Sequence, residues 1–198
     1  MGRQTEQQFF RIFNRVMVLM WRLGMGPLIN VWPEVFGRIM VMIHTGRKTG
    51  LRRFTPANYA IIEEDIFCAA GFGSGSDWYR NLLANPGVEV WLPQGWWAGE
   101  AAPADDHPGR LEIMRRILIN DGLAGGLFAG MDGRRISDAD LAARVQDYRL
   151  VRIRRRQACT GPGGPSDLAW VWPALAHAAG LIWLLKRIGK AKSRNRRK

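Results

Sequence analysis

The feature that most constrains the fold is a basic turn, residues 44–56, that lies between two strand-like segments. An apolar run, residues 39–43, precedes the turn, and a second run extends over residues 54–62. Gly46 and Gly50 allow the backbone dihedrals that reverse the chain direction. The two runs are therefore predicted to pair as a β-hairpin.

The same turn carries the groups that bind anions. It combines threonine hydroxyls, backbone N–H groups next to the glycines, and four cationic side chains. Phosphate and carboxylate oxygens accept charge-assisted hydrogen bonds from such groups. The turn is therefore either an anion-binding cradle or a solvated basic hairpin tip. The four cations are Arg47, Lys48, Arg52 and Arg53.

Further strand-like segments predict a barrel. Residues 66–70 continue the sheet, and residues 88–92 and 96–101 flank a Pro-Gln-Gly turn that is typical of an antiparallel hairpin. Residues 148–154 alternate between apolar and polar side chains and are predicted to close the sheet. The fold class is therefore expected to be mainly β with short helices, an α+β barrel.

Helices are predicted around this barrel. The first follows a capping box at Thr5 and extends over residues 6–23, and others begin at His107 and Ser137, separated by a glycine-rich loop at residues 122–133. The apolar face of the first helix either covers the core or lies on an anionic membrane, because arginines occupy the opposite face. That apolar face comprises Phe9, Phe13, Val16, Met20 and Leu23.

A second glycine-rich loop, residues 71–77, leads into a short helix. Its spacing is not G-x-G-x-x-G and no βαβ unit surrounds it, so a Rossmann or P-loop site is not favoured. Without Cβ atoms, the glycines would let a flat ligand lie against the backbone. Ser76 or Asp77 is expected to cap the helix, which carries Trp78 and Asn81.

The C-terminal part has a different composition. After a Gly/Pro linker at residues 157–167, residues 168–185 contain no charged side chain. Eight cations follow, and they account for most of the net charge of +12, leaving +4 for the rest of the chain. Such a segment could span a membrane, lie on its surface, or pack on protein. The predicted organisation is therefore an N-terminal helix and connector (1–36), a cofactor-binding barrel (37–156), the linker, and a hydrophobic helix with a basic tail (168–198).

Several classes of function lack support in the sequence. Cys68 and Cys159 form neither a disulfide framework nor a metal-ligand pattern, which fits a reducing compartment. A polar N-terminus and arginines within the first apolar run give no indication of a signal peptide. No nucleic-acid reading motif, Ser-His-Asp order or H-x-x-x-H motif is present, so nucleic acid is not an expected partner and hydrolytic or metal mechanisms are not supported.

Residues 37–155 resemble the deazaflavin-dependent nitroreductase family, a group of oxidoreductases that use coenzyme F420, an 8-hydroxy-5-deazaflavin. The resemblance implies a split β-barrel of the FMN-binding or pyridoxamine-oxidase-like type. The residues that carry it are the motif Thr-Gly-Arg-Lys-Thr-Gly at 45–50, Arg53, Pro56, the motif Ser-Asp-Trp-Tyr-Arg-Asn-Leu at 76–82, and Ala-Asn-Pro at 84–86.

The resemblance also implies the site. In the family the basic turn holds the phosphate and acidic tail of the cofactor, the backbone after the third strand lies along the deazaflavin ring, and the following helix fixes that loop. Tyr59 is at the position of an active-site tyrosine in some relatives, and is the candidate for substrate orientation or proton supply. The implied cofactor-binding residues are Arg47, Lys48, Thr49, Arg53, Thr55, Pro56, Ala70, Gly71, Phe72, Gly73, Ser76, Asp77, Trp78 and Asn81.

These observations lead to three alternative functions. The first is an F420-dependent reductase that transfers a hydride to a quinone-like or nitroaromatic acceptor at the inner face of the cell membrane. Relatives that reduce nitro compounds have Ser-Lys-Gly-Gly in the ring loop, and this chain has Ala-Gly-Phe-Gly at residues 70–73, so the quinone role is favoured. The second is a split barrel that binds FMN or haem, and the third is a non-enzymatic protein that binds membranes or anions.

Overall fold

The computed structural model describes residues 3–31, 37–122 and 132–195, with the backbone alone for residues 3–11 and 188–195. Six antiparallel strands form a closed barrel in the order β1-β2-β3-β6-β5-β4. This architecture confirms the predicted split β-barrel. The strands are β1 (Ile39–Thr45), β2 (Arg52–Ile62), β3 (Asp65–Ala70), β4 (Gly87–Leu92), β5 (Gly95–Pro103) and β6 (Arg149–Ala158).

The helices lie outside the barrel and at the two ends of the chain. The predicted N-terminal and C-terminal helices are both present, and the helix predicted to reach residue 147 ends three residues earlier. Of the glycine-rich loop predicted at 122–133, residues 123–131 lie outside the described part. The helices are α1 (Arg3–Arg22), α2 (Gly26–Ile29), α3 (Asp77–Ala84), α4 (Arg110–Ile119), α5 (Asp138–Arg144) and α6 (Val171–Asn195).

The basic turn joins β1 to β2 as predicted. The hairpin register pairs Thr45 with Arg52 at the turn and Ile39 with Asn58 at the far end. Gly46 N–H donates to the carbonyl oxygen of Leu51 at 2.9 Å, which closes the turn. Gly50 has a φ of +65°, a conformation that favours glycine over residues with a side chain.

The two largest apolar clusters fill the barrel and hold α4 and α5 against it. The barrel interior is filled by the inward side chains of all six strands, among them Met40, Tyr59, Cys68 and Ile153. On the outside, α4 and α5 pack against β2, β3 and β6. The buried residues of this second cluster are Ala60, Phe67, Ala104, Ile113, Met114, Ile117, Leu118, Leu141, Val145 and Leu150.

The buried face of α1 differs from the predicted one. Val16, from the predicted apolar face, is exposed, whereas Met17 and Trp21 are buried. The Trp21 ring lies 6.5 Å from that of Trp91, centroid to centroid. Because a tryptophan buries more apolar surface than any other side chain on this helix, its packing sets which face turns inward. Phe9 lies outside the residues whose side chains are described.

The segment before α6 is attached to the end of α1. Ser166 N–H donates to the carbonyl oxygen of Trp21 at 3.0 Å, and Leu168 N–H donates to that of Arg22 at 2.9 Å. The guanidinium of Arg22 pairs with Asp167 at 2.9 Å. Beyond these contacts α6 is exposed over residues 172–187. In residues 3–31, 37–122 and 132–195, no helix combines the length and apolar character that a membrane span requires.

Candidate functional site

A cavity of about 1240 Å³ lies along β2 and is open to solvent. Its walls are formed by α1, the basic turn, β2, the loop after β3, α3 and α4. Twelve of the fifteen predicted site residues line this cavity. They are Arg47, Lys48, Thr49, Arg53, Thr55, Pro56, Gly71, Phe72, Ser76, Asp77, Trp78 and Asn81.

Arg47 connects the basic turn to α3. Its guanidinium donates to the side-chain oxygens of Asp77 and Asn81, both at 2.9 Å. Its backbone N–H also donates to Asn81 Oδ1, at 3.1 Å. The guanidinium of Arg47 is therefore paired with Asp77 and Asn81 in this structure, and its predicted role in anion binding stays a prediction.

His44 extends this network into the cavity wall. Its side chain is 3% exposed, its Nδ1 lies 3.3 Å from Asn81 Nδ2, and its Nε2 lies 3.0 Å from Thr55 Oγ1. Burial is the main factor that lowers the pKa of His44 to about 4; a hydrogen bond to the backbone of Thr45 opposes it and the charge of Arg53 adds to it. His44 is therefore neutral at pH 7.

The network fixes the tautomer of His44. Asn81 Oδ1 accepts from Arg47, so its Nδ2 is the donor to His44 Nδ1. The ring proton then lies on Nε2 and is donated to Thr55 Oγ1. Because Thr55 accepts this bond, its own hydroxyl proton is free to point into the cavity. Thr55 is thus a pre-oriented donor beside the basic turn.

Three cations face the cavity without a carboxylate partner. In the described part of the chain, Lys48, Arg53 and Arg15 of α1 make no ion pair, and Arg53 contacts the Thr49 hydroxyl at 3.5 Å. Arg52, in contrast, pairs with Glu89 at 2.8 Å. Unpaired cations grouped around one opening attract an anionic ligand.

Ser76 provides a second indication of a ligand. Its hydroxyl is buried in the cavity wall and has no hydrogen-bond partner. Ser76 precedes α3 at the capping position, but its side chain does not make the predicted capping bond. A buried hydroxyl without a partner is unfavourable by about 1–3 kcal/mol. A ligand with a polar group at this point would remove that cost, so the donor set fits an anionic cofactor.

The centre of the cavity is lined by small residues. Ala57 of β2, Ala69 of β3 and Gly71 leave room between the larger rings of Trp78 and Tyr148. A Cβ atom on Gly71 would lie 3.7 Å from the Tyr148 ring, which is ordinary contact. The cavity wall therefore combines small and aromatic side chains.

Three predicted residues do not line the cavity. Tyr59 is 2% exposed in the barrel interior, where burial raises the pKa of its hydroxyl. Ala70 also points into the barrel, because the strand alternation places Ala69 on the cavity side. Gly73 has a φ of +56°, and a Cβ there would collide with the carbonyl oxygen of Asp147. Its glycine requirement is therefore explained by the fold.

Among the lining residues that the sequence prediction missed are His44, Asn58, Asp121 and Tyr148. Burial raises the pKa of Asp121 to about 7, and burial together with the charge of Asp121 raises the pKa of Tyr148. His44 could have been found from its place at the start of the turn. Nothing in the sequence around Asp121 signals that a carboxyl group there is buried.

Comparison with protein families places the geometry in context. Residues 14–120, more than half of the chain, match the F420H(2)-dependent quinone reductase family. The chain belongs to this family. As a member of the F420H(2)-dependent quinone reductases it is an oxidoreductase whose cofactor is coenzyme F420, which confirms the predicted family, enzyme class and cofactor. A comparison with curated proteins finds no match.

Solved structures of similar shape share little sequence with this F420H(2)-dependent quinone reductase family member. The haem storage protein HutZ from Vibrio cholerae is 14% identical with a TM-score of 0.45, over 71% of this chain and 96% of that one. A putative pyridoxamine 5′-phosphate oxidase from Listeria innocua is 15% identical with a TM-score of 0.41, over 67% and 94%. An F420 reductase is 17% identical with a TM-score of 0.38, over 65% and 93%.

Proposed function

We propose that this protein reduces a quinone with reduced coenzyme F420 bound in the cavity beside the basic turn. The observation that carries the proposal is the combination, in one cavity, of unpaired cations and a wall of small residues. The cations suit the anionic chain of the cofactor, and the small residues suit its planar ring. Once bound, the cofactor supplies the hydride, so the protein needs to bind, orient and shield the reacting groups.

Lys48, Arg53 and Thr55 are the residues proposed to hold the anionic chain. Lys48 and Arg53 have no carboxylate partner among the described residues, and Thr55 presents a hydroxyl proton that His44 orients. Arg47 acts indirectly, by fixing the turn to α3 through Asp77 and Asn81.

The proposed acceptor is a quinone rather than a nitroaromatic compound. Phe72 is 71% exposed and lines the cavity, and the preceding residue, Gly71, stands where nitro-reducing relatives are expected to have a lysine. Its apolar ring, together with Met114, Ile117 and Leu118 of α4, gives the acceptor end of the cavity an apolar character. An uncharged, hydrophobic acceptor is favoured at such a surface.

A fluorescence titration with coenzyme F420 tests the cofactor site. Lys48→Ala and Arg53→Ala should each weaken binding by roughly tenfold, because a charge-assisted hydrogen bond contributes about 1.5 kcal/mol or more. Arg156→Ala is the matched control, since this exposed arginine pairs with Glu100 and does not line the cavity. FMN and haem serve as competing ligands. Equal affinity of wild type and both cavity variants, or tighter binding of FMN or haem, would contradict the proposal.

We further propose that α6 attaches the enzyme to the anionic inner face of the cell membrane. The exposed part of α6 presents Leu181, Trp183 and Leu185 next to Lys186 and Arg187, and Arg187 lies over the Trp183 ring at 5.1 Å. Apolar and aromatic side chains beside cations favour the interface of an anionic bilayer. Attachment there would bring the cavity close to lipid-soluble quinones.

Co-sedimentation with vesicles tests this attachment. Wild type should sediment with vesicles that contain phosphatidylglycerol and less with pure phosphatidylcholine. A Leu181→Glu/Leu185→Glu variant should remain in the supernatant, whereas Leu83→Glu, on exposed α3, should behave as wild type. Sedimentation of the double variant equal to that of wild type would refute the role of α6.

A further inference from the structure

The chain just after α4 places an acidic group in the cavity wall, near the middle of β2. Asn58 Nδ2 donates to the carbonyl oxygen of Asn120 at 3.3 Å, which ties this end of α4 to β2. Asn58 lies five residues along β2 from Arg53, a separation of about 17 Å in a strand. Asp121, the next residue after Asn120, lines the same cavity. The cavity therefore extends from the cations of the basic turn to the carboxyl group of Asp121.

The position of Asp121 is fixed by backbone contacts. Arg38 N–H donates to the carbonyl oxygen of Asn120 at 2.7 Å, and Asn120 Nδ2 donates to the carbonyl oxygen of Tyr59 at 3.0 Å. Asp121 N–H donates to Leu118 at 3.2 Å. Gly37 packs closely against this backbone, because a Cβ atom on Gly37 would lie 2.9 Å from the carbonyl carbon of Asp121.

We propose that the carboxyl group of Asp121 donates the proton that the acceptor needs when it is reduced, an assignment that rests on the proposed function. Reduction of a quinone to a hydroquinone requires two electrons and two protons. The hydride brings both electrons and one of the protons. The O–H bond of Asp121 breaks as an O–H bond forms on the acceptor, which leaves a carboxylate. Asp121 regains its proton from water, which reaches the open cavity.

The surroundings of Asp121 favour a group that holds a proton near neutral pH. Asp121 is half-buried in the cavity wall, and this burial raises the pKa of its carboxyl group to about 7. A donor with a pKa close to the working pH is the most effective general acid. Tyr148, just before β6, interacts with this carboxyl group, and Arg38 lies nearby because its N–H donates to the carbonyl oxygen of Asn120. Arg15 and Arg22 of α1 line the same cavity. Arg22 is paired with Asp167, so its charge is partly compensated.

The first measurement needs neither cofactor nor substrate. In protein labelled with ¹³C-aspartate, one carboxyl resonance should titrate near pH 7 and should be missing from the spectrum of Asp121→Asn. Asp106→Asn is the matched control, because this exposed aspartate is remote from the cavity lining. Titration of the Asp121 resonance near pH 4 would overturn the proposal.

The second measurement is the single-turnover reduction of a soluble quinone by protein loaded with reduced cofactor. In wild type the rate should fall about tenfold per pH unit above pH 7. In Asp121→Asn it should be roughly a hundredfold lower and independent of pH, since general acid catalysis contributes at least that factor. Cofactor affinity should change by less than about twofold. A wild-type rate that does not vary with pH would refute Asp121 even without a variant, whereas failure of wild type to bind F420 would refute the proposed function instead.

Discussion

Replacement of Asn81 by leucine tests whether one buried amide holds the cofactor cradle in place. Asn81 is 7% exposed and makes three hydrogen bonds to the basic turn and β1. Its Oδ1 accepts from the Arg47 backbone at 3.1 Å and from the Arg47 guanidinium at 2.9 Å, and its Nδ2 donates to His44 at 3.3 Å. Leucine is close in volume but can make none of them.

The expected loss follows from these three bonds. A neutral hydrogen bond contributes about 0.5–1.5 kcal/mol net, and one to a charged group about 1.5–3 kcal/mol. The guanidinium of Arg47 is partly exposed and keeps its ion pair with Asp77, so its hydrogen bond to Asn81 contributes a value near the lower limit of the charged range. The free energy of unfolding should therefore fall by about 2–4 kcal/mol in Asn81→Leu.

Urea unfolding followed by tryptophan fluorescence measures this loss. Asn85→Leu is the matched control, because Asn85 is exposed just after the same helix and makes no side-chain hydrogen bond among the described residues. The control should change stability by less than about 0.5 kcal/mol. F420 affinity should fall in Asn81→Leu alone, since the tautomer of His44, and with it the Thr55 donor, is no longer fixed. Equal stability of the two variants would refute the reasoning.

Two further predictions concern His44 and the glycine loop. The pKa of His44 is about 4 in the folded protein and ordinarily 6.5, so the unfolded chain binds more protons between these two pH values. The contribution of His44 to the free energy of unfolding, about 3 kcal/mol, should therefore be complete above pH 6.5 and lost as the pH falls to 4. The free energy of unfolding, measured by urea titration, should depend on pH in this range more strongly for wild type than for His44→Gln. An equal pH dependence of the two proteins would contradict the prediction. Gly73→Ala should lower the free energy of unfolding by more than 1 kcal/mol, because the φ of Gly73 is positive and a carbonyl oxygen occupies the position of the added Cβ atom. Gly71→Ala should be tolerated. A lower melting temperature for Gly71→Ala than for Gly73→Ala would contradict this account of the loop.

The sequence predicts the hairpin and the barrel because both depend on short-range patterns. Alternation with a period of two identifies β4 and β6, and glycine identifies the turn between β1 and β2. The strand phase is harder to predict. Residues 66–70 are almost all apolar, so the sequence gives no sign that Ala69 faces the cavity and Ala70 the barrel interior. A shift of one residue exchanges the two faces of a strand.

The roles of individual charges depend on contacts that the sequence does not encode locally. Four cations in one turn look equivalent, but Arg47 is paired with Asp77, thirty residues away, and Arg52 with Glu89. Only Lys48 and Arg53 of the turn's four cations remain without a carboxylate among the described residues. Most of the predicted residues therefore meet in one cavity, whereas the tertiary structure was needed to see which cations of the turn are paired.

The contacts between α1 and the segment before α6 restrict how freely α6 can move relative to the barrel. Gly164 lies so close to the Trp96 ring that a Cβ atom would approach one of its carbons to 2.6 Å, and Trp172 Nε1 donates to the carbonyl oxygen of Leu23 at 2.8 Å. A Gly/Pro sequence would otherwise act as a flexible tether. Here contacts hold both ends of this sequence in place, so it acts as a rigid connection. Any surface that binds α6 will therefore set the orientation of the cavity opening relative to that surface. Shortening the linker will change this orientation rather than the distance that the linker can span.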